Sequence, residues 1–241
     1  MMKVLIGCEE SQTICKAFRS LGVEAYSNDL LDCSGGHPEW HLKMDVFKAV
    51  EHDKWDLFIV HPECQRLTVA ANKYYNPEYA NRFPNIQEER KAAVNFFMKL
   101  VNVNIPFKAI ENPIGIMSSR YRKPDQIIQP YYFGNPERKA TCLWLYNLPP
   151  LISTNVIKPD IVRLSSGKTV SKYHYDSFRL PLKERRKVRS KTFDGIAEAI
   201  ALQWTLFILY RKLSAYPKEI ASKIIPSLEQ ITINKQFYDE H

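Results

Sequence analysis

No uninterrupted apolar run in this sequence approaches the roughly 20 residues that a bilayer-spanning helix needs. The N-terminal stretch lacks the basic, apolar and small-residue regions of a secretory signal. A soluble, cytoplasmic chain with no membrane partner is expected. No Cys-x-x-Cys pair occurs, and the five cysteines, Cys8, Cys15, Cys33, Cys64 and Cys142, are scattered and odd in number. That pattern excludes a disulfide framework and fits reduced thiols. Internal repeats and low-complexity tracts are absent as well.

What is present suffices for a folded domain. The chain has 241 residues, 45% of them apolar, enough for one large domain or one domain with a small appendage. Its formal charge of +8 favours a polyanionic partner. Lys3–Gly7 reads as a strand. Thr13–Leu21 reads as a helix, capped by Ser11 or Thr13 and stopped by Gly22. Val23–Ser27 is a second strand ending at Asn28 and Asp29. Strand, tight loop and helix open a Rossmann-like unit, and an acid about 20 residues past the first loop is where such folds hold a ribose.

Cys33, His37 and His41 are spaced four apart and form a candidate metal set. Gly35, Gly36 and Pro38 break the helix that would gather them, so a structured loop and no metal are expected. Leu57–Val60 is a short apolar run of the kind buried on both faces of a sheet, stopped by His61 and Pro62. Leu67–Asn85 is polar and tyrosine-rich and reads as a long mobile segment. Gln87–Val103 places Ala92, Ala93, Phe96, Phe97, Leu100 and Val103 on one helical face. It leads into a strand at Phe107–Ile110, giving a parallel crossover. Thr141–Leu145 is a further strand and Thr192–Leu213 a strongly apolar helix. These elements predict a catalytic domain over residues 1–213, a small irregular basic insertion at 146–191, and a peripheral tail at 214–241.

Two strand ends carry chemistry. Cys64 lies in the loop past Leu57–Val60, and Glu111-Asn112-Pro113 follows Phe107–Ile110. Ligands bind at this rim in open α/β sheets. Pro62-Glu63-Cys64-Gln65 followed by Glu111-Asn112-Pro113 resembles the catalytic pair of the DNA cytosine-5 methyltransferases, whose usual forms are Pro-Cys-Gln and Glu-Asn-Val. Glu111-Asn-Pro-Ile-Gly-Ile-Met-Ser-Ser-Arg120 and Pro136-Glu-Arg-Lys-Ala-Thr-Cys-Leu-Trp144 look like a group of small phage-encoded proteins of that superfamily. The resemblance covers most of residues 3–205. It implies an α/β, Rossmann-like S-adenosylmethionine-dependent methyltransferase fold, with a mostly parallel sheet and helices on both faces. It also implies DNA as partner and a bacterial host's cytoplasm as location.

By that resemblance, the Gly7–Gln12 loop, with Cys8, Glu9 and Glu10, wraps the methionine moiety of S-adenosylmethionine, with Glu9 or Glu10 at its amino group. Asp29 binds the ribose hydroxyls. Asp45 meets the adenine amino group, or else is an ordinary acid at a helix N-terminus. Pro62 and Glu198, the latter in Gly195–Ile200, complete the pocket. The family's loop usually carries two or more glycines, whereas Gly7 stands alone here. Arg138 matches the family's basic motif, but the Gln-x-Arg-x-Arg spacing is not reproduced. Arg120, Arg122 and Lys123 interleave with Tyr121, and Lys183–Lys191 contains Arg185, Arg186, Lys187 and Arg189. Both runs suit phosphate contact. A solvated surface is the alternative for each.

The implied chemistry is covalent. A Cys64 thiolate adds to C6 of cytosine and turns C5 into a nucleophile. Glu111 stabilises the ring, and Asn112 fixes its loop. Cys64 needs a lowered pKa, for which Arg138 or Arg66 could supply the field. Glu63, where the family has proline, works against it if it points inward. Three functions compete: a DNA cytosine-5 methyltransferase, an idle relative that binds nucleic acid or protein, and the same chemistry on RNA or a free nucleotide. The chain between Thr141–Leu145 and Thr192 is too short for a full target-recognition domain, so a protein partner is one source of specificity.

Overall fold

A computed structural model describes residues 2–79 and 81–214. The tail predicted at 214–241 lies, beyond Ser214, outside the described residues. In chain order the elements are β1 (Lys3–Gly7), α1 (Thr13–Ser20), β2 (Glu24–Asp29), β3 (His41–Lys43), α2 (Val46–His52), β4 (Leu57–Val60) and α3 (Ile86–Val101). They continue with β5 (Phe107–Pro113), α4 (Met117–Arg120), β6 (Gln126–Ile128), β7 (Thr141–Tyr146), β8 (Ile161–Arg163), β9 (Thr169–Ser171), α5 (Lys172–Phe178), α6 (Leu182–Ser190) and α7 (Asp194–Ser214).

Seven strands form one sheet in the order β3-β2-β1-β4-β5-β7-β6. β7 alone runs antiparallel to its neighbours, and the other pairings are parallel. This is a Rossmann-like α/β fold. Strand residues alternate between two cores. Val4, Ile6, Leu57, Ile59, Ala109 and Leu143 face a core shared with Ile14 and Phe18 of α1 and Ile200 and Trp204 of α7. Leu5, Phe58, Val60, Ile110 and Trp144 face the opposite core, with Val46 of α2 and Phe97 and Leu100 of α3. Burial on both faces explains why these strands are nearly continuous apolar runs.

The structure departs from the sequence reading in several places. β5 does not stop at Ile110, because β7 pairs with it through Glu111↔Leu143, Asn112↔Cys142 and Pro113↔Thr141. Leu67–Asn85 is not featureless: it carries 3-10 helices at Val69–Tyr75 and Pro77–Tyr79, and Arg90 stacks on Tyr75. Residues 146–191 include the β8–β9 hairpin and two helices, a small ordered lobe. One helical stretch, Leu182–Ser214, contains a window long and apolar enough to cross a bilayer, half of it buried within the fold. Its apolar character has a local cause. α7 packs along α1, with Trp204 and Ile208 fully enclosed.

Candidate active site

The first loop turns without glycine. Cys8 and Gln12 both adopt left-handed backbone conformations, with φ of 59° and 58°, at roughly 1–2 kcal/mol each for a non-glycine residue. Side chains hold the loop against that strain. Gln12 is fully buried. Its amide donates to Ser27 Oγ and to the His37 carbonyl, and its oxygen accepts from His37 N–H. The predicted caps Ser11 and Thr13 do not cap α1. Glu9 does, accepting from the N–H groups of Ile14 at 2.7 Å and Cys15 at 3.3 Å. The Glu9 carboxylate is thereby committed to the helix N-terminus, where the dipole favours an anion. Gly7 has a packing role, since an added Cβ would stand 2.8 Å from Val46 Cγ2 and 2.9 Å from the Phe58 ring.

Beside this loop is a cavity of about 860 Å³. Cys8, Glu9, Glu10, Asp29, Asp32, Cys33 and His61 line one side of it, and Lys183, Arg186, Lys187 and Thr192 the other. Asp29 stands at the carboxyl end of β2 and also accepts from Leu31 N–H. Asp45 caps α2 by accepting from Phe47 N–H at 2.9 Å, the ordinary role left open by the sequence. It remains close enough to influence Cys8, whose thiol is pushed up to about 12 by burial, Asp29 and Asp45. His41 is engaged with Ser27 and the Leu31 carbonyl, and His37 stacks on Trp40. Glu198 lies on the exposed face of α7 and does not line the cavity.

Cys64, Glu111 and Asn112, the residues expected to carry the chemistry, lie at the carboxyl ends of β4 and β5. These strands are parallel neighbours with Val60 opposite Ile110, so His61 comes beside Glu111. His61 Nδ1 and Glu111 Oε2 are 2.9 Å apart. Asn112 is buried, and its Nδ2 donates to the Pro62 carbonyl at 2.9 Å. The far end of the Cys64 loop is tied by a bridge from Thr68 to Gly115. Gly115 is obligatory for that approach, because a Cβ there would lie 2.2 Å from the Leu67 carbonyl oxygen.

Charge is distributed unevenly over these groups. Burial pushes the Glu111 carboxyl up, but the hydrogen bond and charge of His61, the Lys139 ammonium and Thr141 outweigh it, so Glu111 is held below its usual range as a carboxylate. Cys64 is exposed, yet protein crowds its sulfur. Burial and then Glu111 push its thiol up, Lys139 pulls it down, and Glu63 adds a smaller push upward. Burial lowers the Lys139 ammonium, while Glu111 and Cys64 pull it back.

His61 and Lys139 are the functional candidates that sequence reasoning missed. The predicted field from Arg138 or Arg66 is not what the structure supplies. Arg138 is exposed, and Arg66 is paired with Glu89. Lys139 stands two residues before Thr141, the first residue of β7, and its ammonium acts on both Glu111 and Cys64. The two basic runs separate in space. Arg122 pairs with Asp125, lies over Tyr146 and donates to the Leu145 carbonyl. Leu145 and Tyr146 stand opposite Ala109 and Lys108, so Arg122 belongs to the rim of the sheet away from Cys64. Arg120 and Lys123 flank it in sequence, whereas part of the α6 run lines the cavity itself.

No protein-family model matches the sequence, and no curated protein matches it. Among solved structures, the chain is similar to an E. coli prophage-encoded protein assigned as a DNA modification methyltransferase. The identity is 12% and the TM-score 0.40, over 60% of this chain and 46% of that one. It is also similar to a triple-mutant form of Spodoptera frugiperda DNMT2, with 14% identity and a TM-score of 0.40 over 66% of this chain and 55% of that one. The chain thus matches about half the length of each. At these identities and scores neither structure assigns any residue of the site.

Proposed function

We propose that the protein is an S-adenosylmethionine-dependent methyltransferase acting at C5 of cytosine in DNA through a covalent Cys64 adduct. The observation that supports this most is the juxtaposition at one sheet rim of an exposed thiol and a half-buried carboxylate beside a cavity with an acid at the end of β2. The residues present fit the cofactor. The cavity volume lies within the usual range for such sites. Asp29 suits a ribose diol, and the carboxylate of Glu10, without an ion pair or hydrogen bond among the described residues, suits an ammonium group. When bound, S-adenosylmethionine supplies an electrophilic methyl group.

The chain's own residues arrange the addition. Cys64 and Glu111 hold one proton between them, with the thiol as acid and the carboxylate as base. Net transfer of that proton yields a thiolate and a carboxylic acid, the two forms the addition needs. The sulfur then bonds to C6, and the ring π electrons shift toward C5 and N3. Glu111, now protonated, donates to N3 as that nitrogen gains electron density. Lys139 stabilises the thiolate, and His61 fixes the Glu111 side chain. Asn112 keeps the Pro62–Cys64 loop at the end of β5. Once C5 carries the methyl group that the cofactor would supply, loss of the C5 proton to a base expels Cys64 as a thiolate, and return of the N3 proton to Glu111 restores the neutral aromatic ring.

One observation favours a second reading, an idle relative that binds nucleic acid or protein: Glu63 and Glu111 both push the Cys64 thiol up. Calorimetry with S-adenosylmethionine and its demethylated product, followed by labelled-methyl transfer to duplex, single-stranded and mononucleotide substrates, separates the readings. Binding with transfer to DNA is expected. No binding of either compound would overturn the methyltransferase assignment. Binding without transfer would favour the idle relative.

A further inference from the structure

The structure divides the basic run of α6 into two faces. Arg185 donates to the carbonyls of Ser177, Phe178 and Leu180, and Arg189 donates to His174 Nδ1. That stripe seats α6 against α5. Lys183, Arg186, Lys187 and Ser190 fall three and four residues apart and therefore share the other face. All four line the cavity opposite Cys8–Ser11 and Asp29. Among the described residues, the side chains of Lys183, Arg186 and Lys187 form no ion pair and no hydrogen bond.

We propose that this face of α6 is a phosphate subsite that holds the backbone of a nucleic-acid substrate in the same compartment as the cofactor loop. The proposal rests on the methyltransferase reading for the cofactor, but not for the phosphate. Three unpaired cations within one helical turn repel one another, and an anion relieves that cost. A cofactor carboxylate brings one negative charge, and the loop side of the cavity is acidic, with Glu10, Asp29 and Asp32. A phosphodiester chain brings one charge per nucleotide and matches the stripe. The subsite is also joined to the reacting groups. Lys139, which acts on Cys64 and Glu111, donates to the Arg189 carbonyl in the last turn of α6 at 2.8 Å. Phosphates held on α6 therefore flank the nucleotide presented to Cys64.

The test uses the full chain and fluorescent single-stranded and duplex oligonucleotides, titrated from low to high salt, beside calorimetry with S-adenosylmethionine. The triple variant Lys183→Gln, Arg186→Gln, Lys187→Gln is compared with an equal-charge control on exposed lysines of α2 and α3, Lys48→Gln, Lys91→Gln, Lys99→Gln. In the cavity triple the slope of log affinity against log salt should fall by about 2 for single strands, at about 0.7 per phosphate contact. Cofactor affinity should change far less than nucleic-acid affinity, since the groups proposed to hold the cofactor lie on the loop side of the cavity. Arg186→Gln alone should lower the slope by about 0.7. Equal slopes in the two triples would overturn the subsite. Loss of cofactor affinity with an unchanged slope would assign the cations to the cofactor carboxylate and overturn it as well. Neither readout needs turnover, so a failure here leaves the Cys64 chemistry standing, and a failed Cys64 adduct leaves the subsite standing.

Discussion

Replacing Glu9 by glutamine should make the protein's stability less dependent on pH. Glu9 is 5% exposed and caps α1 through two backbone N–H groups. Burial pushes its carboxyl from 4.5 up to about 7, against the opposing pull of His61, those two N–H groups and Lys16. A folded pKa above the unfolded one means that the folded state binds the proton more tightly. The group's contribution is then fully present below pH 4.5 and is lost as pH rises through about 7. At about 1.4 kcal/mol per pH unit the displacement corresponds to roughly 3 kcal/mol. Glutamine keeps one acceptor and cannot ionise. Urea unfolding of wild type and Glu9→Gln should give similar stabilities near pH 5, less roughly 1 kcal/mol for the lost second acceptor. The variant should gain on wild type by roughly 3 kcal/mol by pH 8. Cofactor affinity should change little, since the carboxylate is occupied by the helix. Parallel pH curves for the two proteins would refute this account of the first loop. A large loss of cofactor binding would return Glu9 to the cofactor's amino group.

Lys139→Met removes the cation that pulls the Cys64 thiol down. Its alkylation by iodoacetamide should become several-fold slower at neutral pH, with the rate profile displaced to higher pH. An unchanged profile would show that Lys139 does not act on the sulfur. Gly115→Ala puts a Cβ 2.2 Å from the Leu67 carbonyl oxygen. It should lower the urea midpoint by the equivalent of about 1–3 kcal/mol and alter Cys64 alkylation, because the strain falls on the Cys64 loop. A midpoint equal to wild type would mean that the loop yields freely.

Much of the sheet was legible because strands buried on both faces are written as apolar runs. β1 and β4 stand where Lys3–Gly7 and Leu57–Val60 were read. β5 was cut short at Ile110, since Glu111 and Asn112 are polar and only pairing with β7 keeps them in the strand. β3 and β6 have three residues each, too few for any periodicity to register. Cys64 and Glu111 were legible as candidates because strand ends announce themselves through proline and polar residues. The groups that act on them electrostatically were not. His61 was read as a strand stop, and its contact with Glu111 depends on β4 and β5 being neighbours. Arg138 was taken over Lys139 by motif matching, and Lys139 lies before the first residue of β7, where no strand pattern marks it. The left-handed turns at Cys8 and Gln12 were hidden because neither residue advertises that conformation.

The central claim is that Cys64 bonds to C6 of a cytosine. An oligonucleotide carrying 5-fluorocytosine tests it, because fluorine at C5 cannot leave as a proton does. Incubation with the full chain and S-adenosylmethionine, followed by intact mass spectrometry and peptide mapping, should give a covalent protein–oligonucleotide adduct on Cys64. Cys64→Ser should give none, since a hydroxyl is a far weaker nucleophile at neutral pH. Wild-type protein that binds the cofactor and the oligonucleotide yet forms no adduct, with Glu63→Pro forming none either, would contradict the claim.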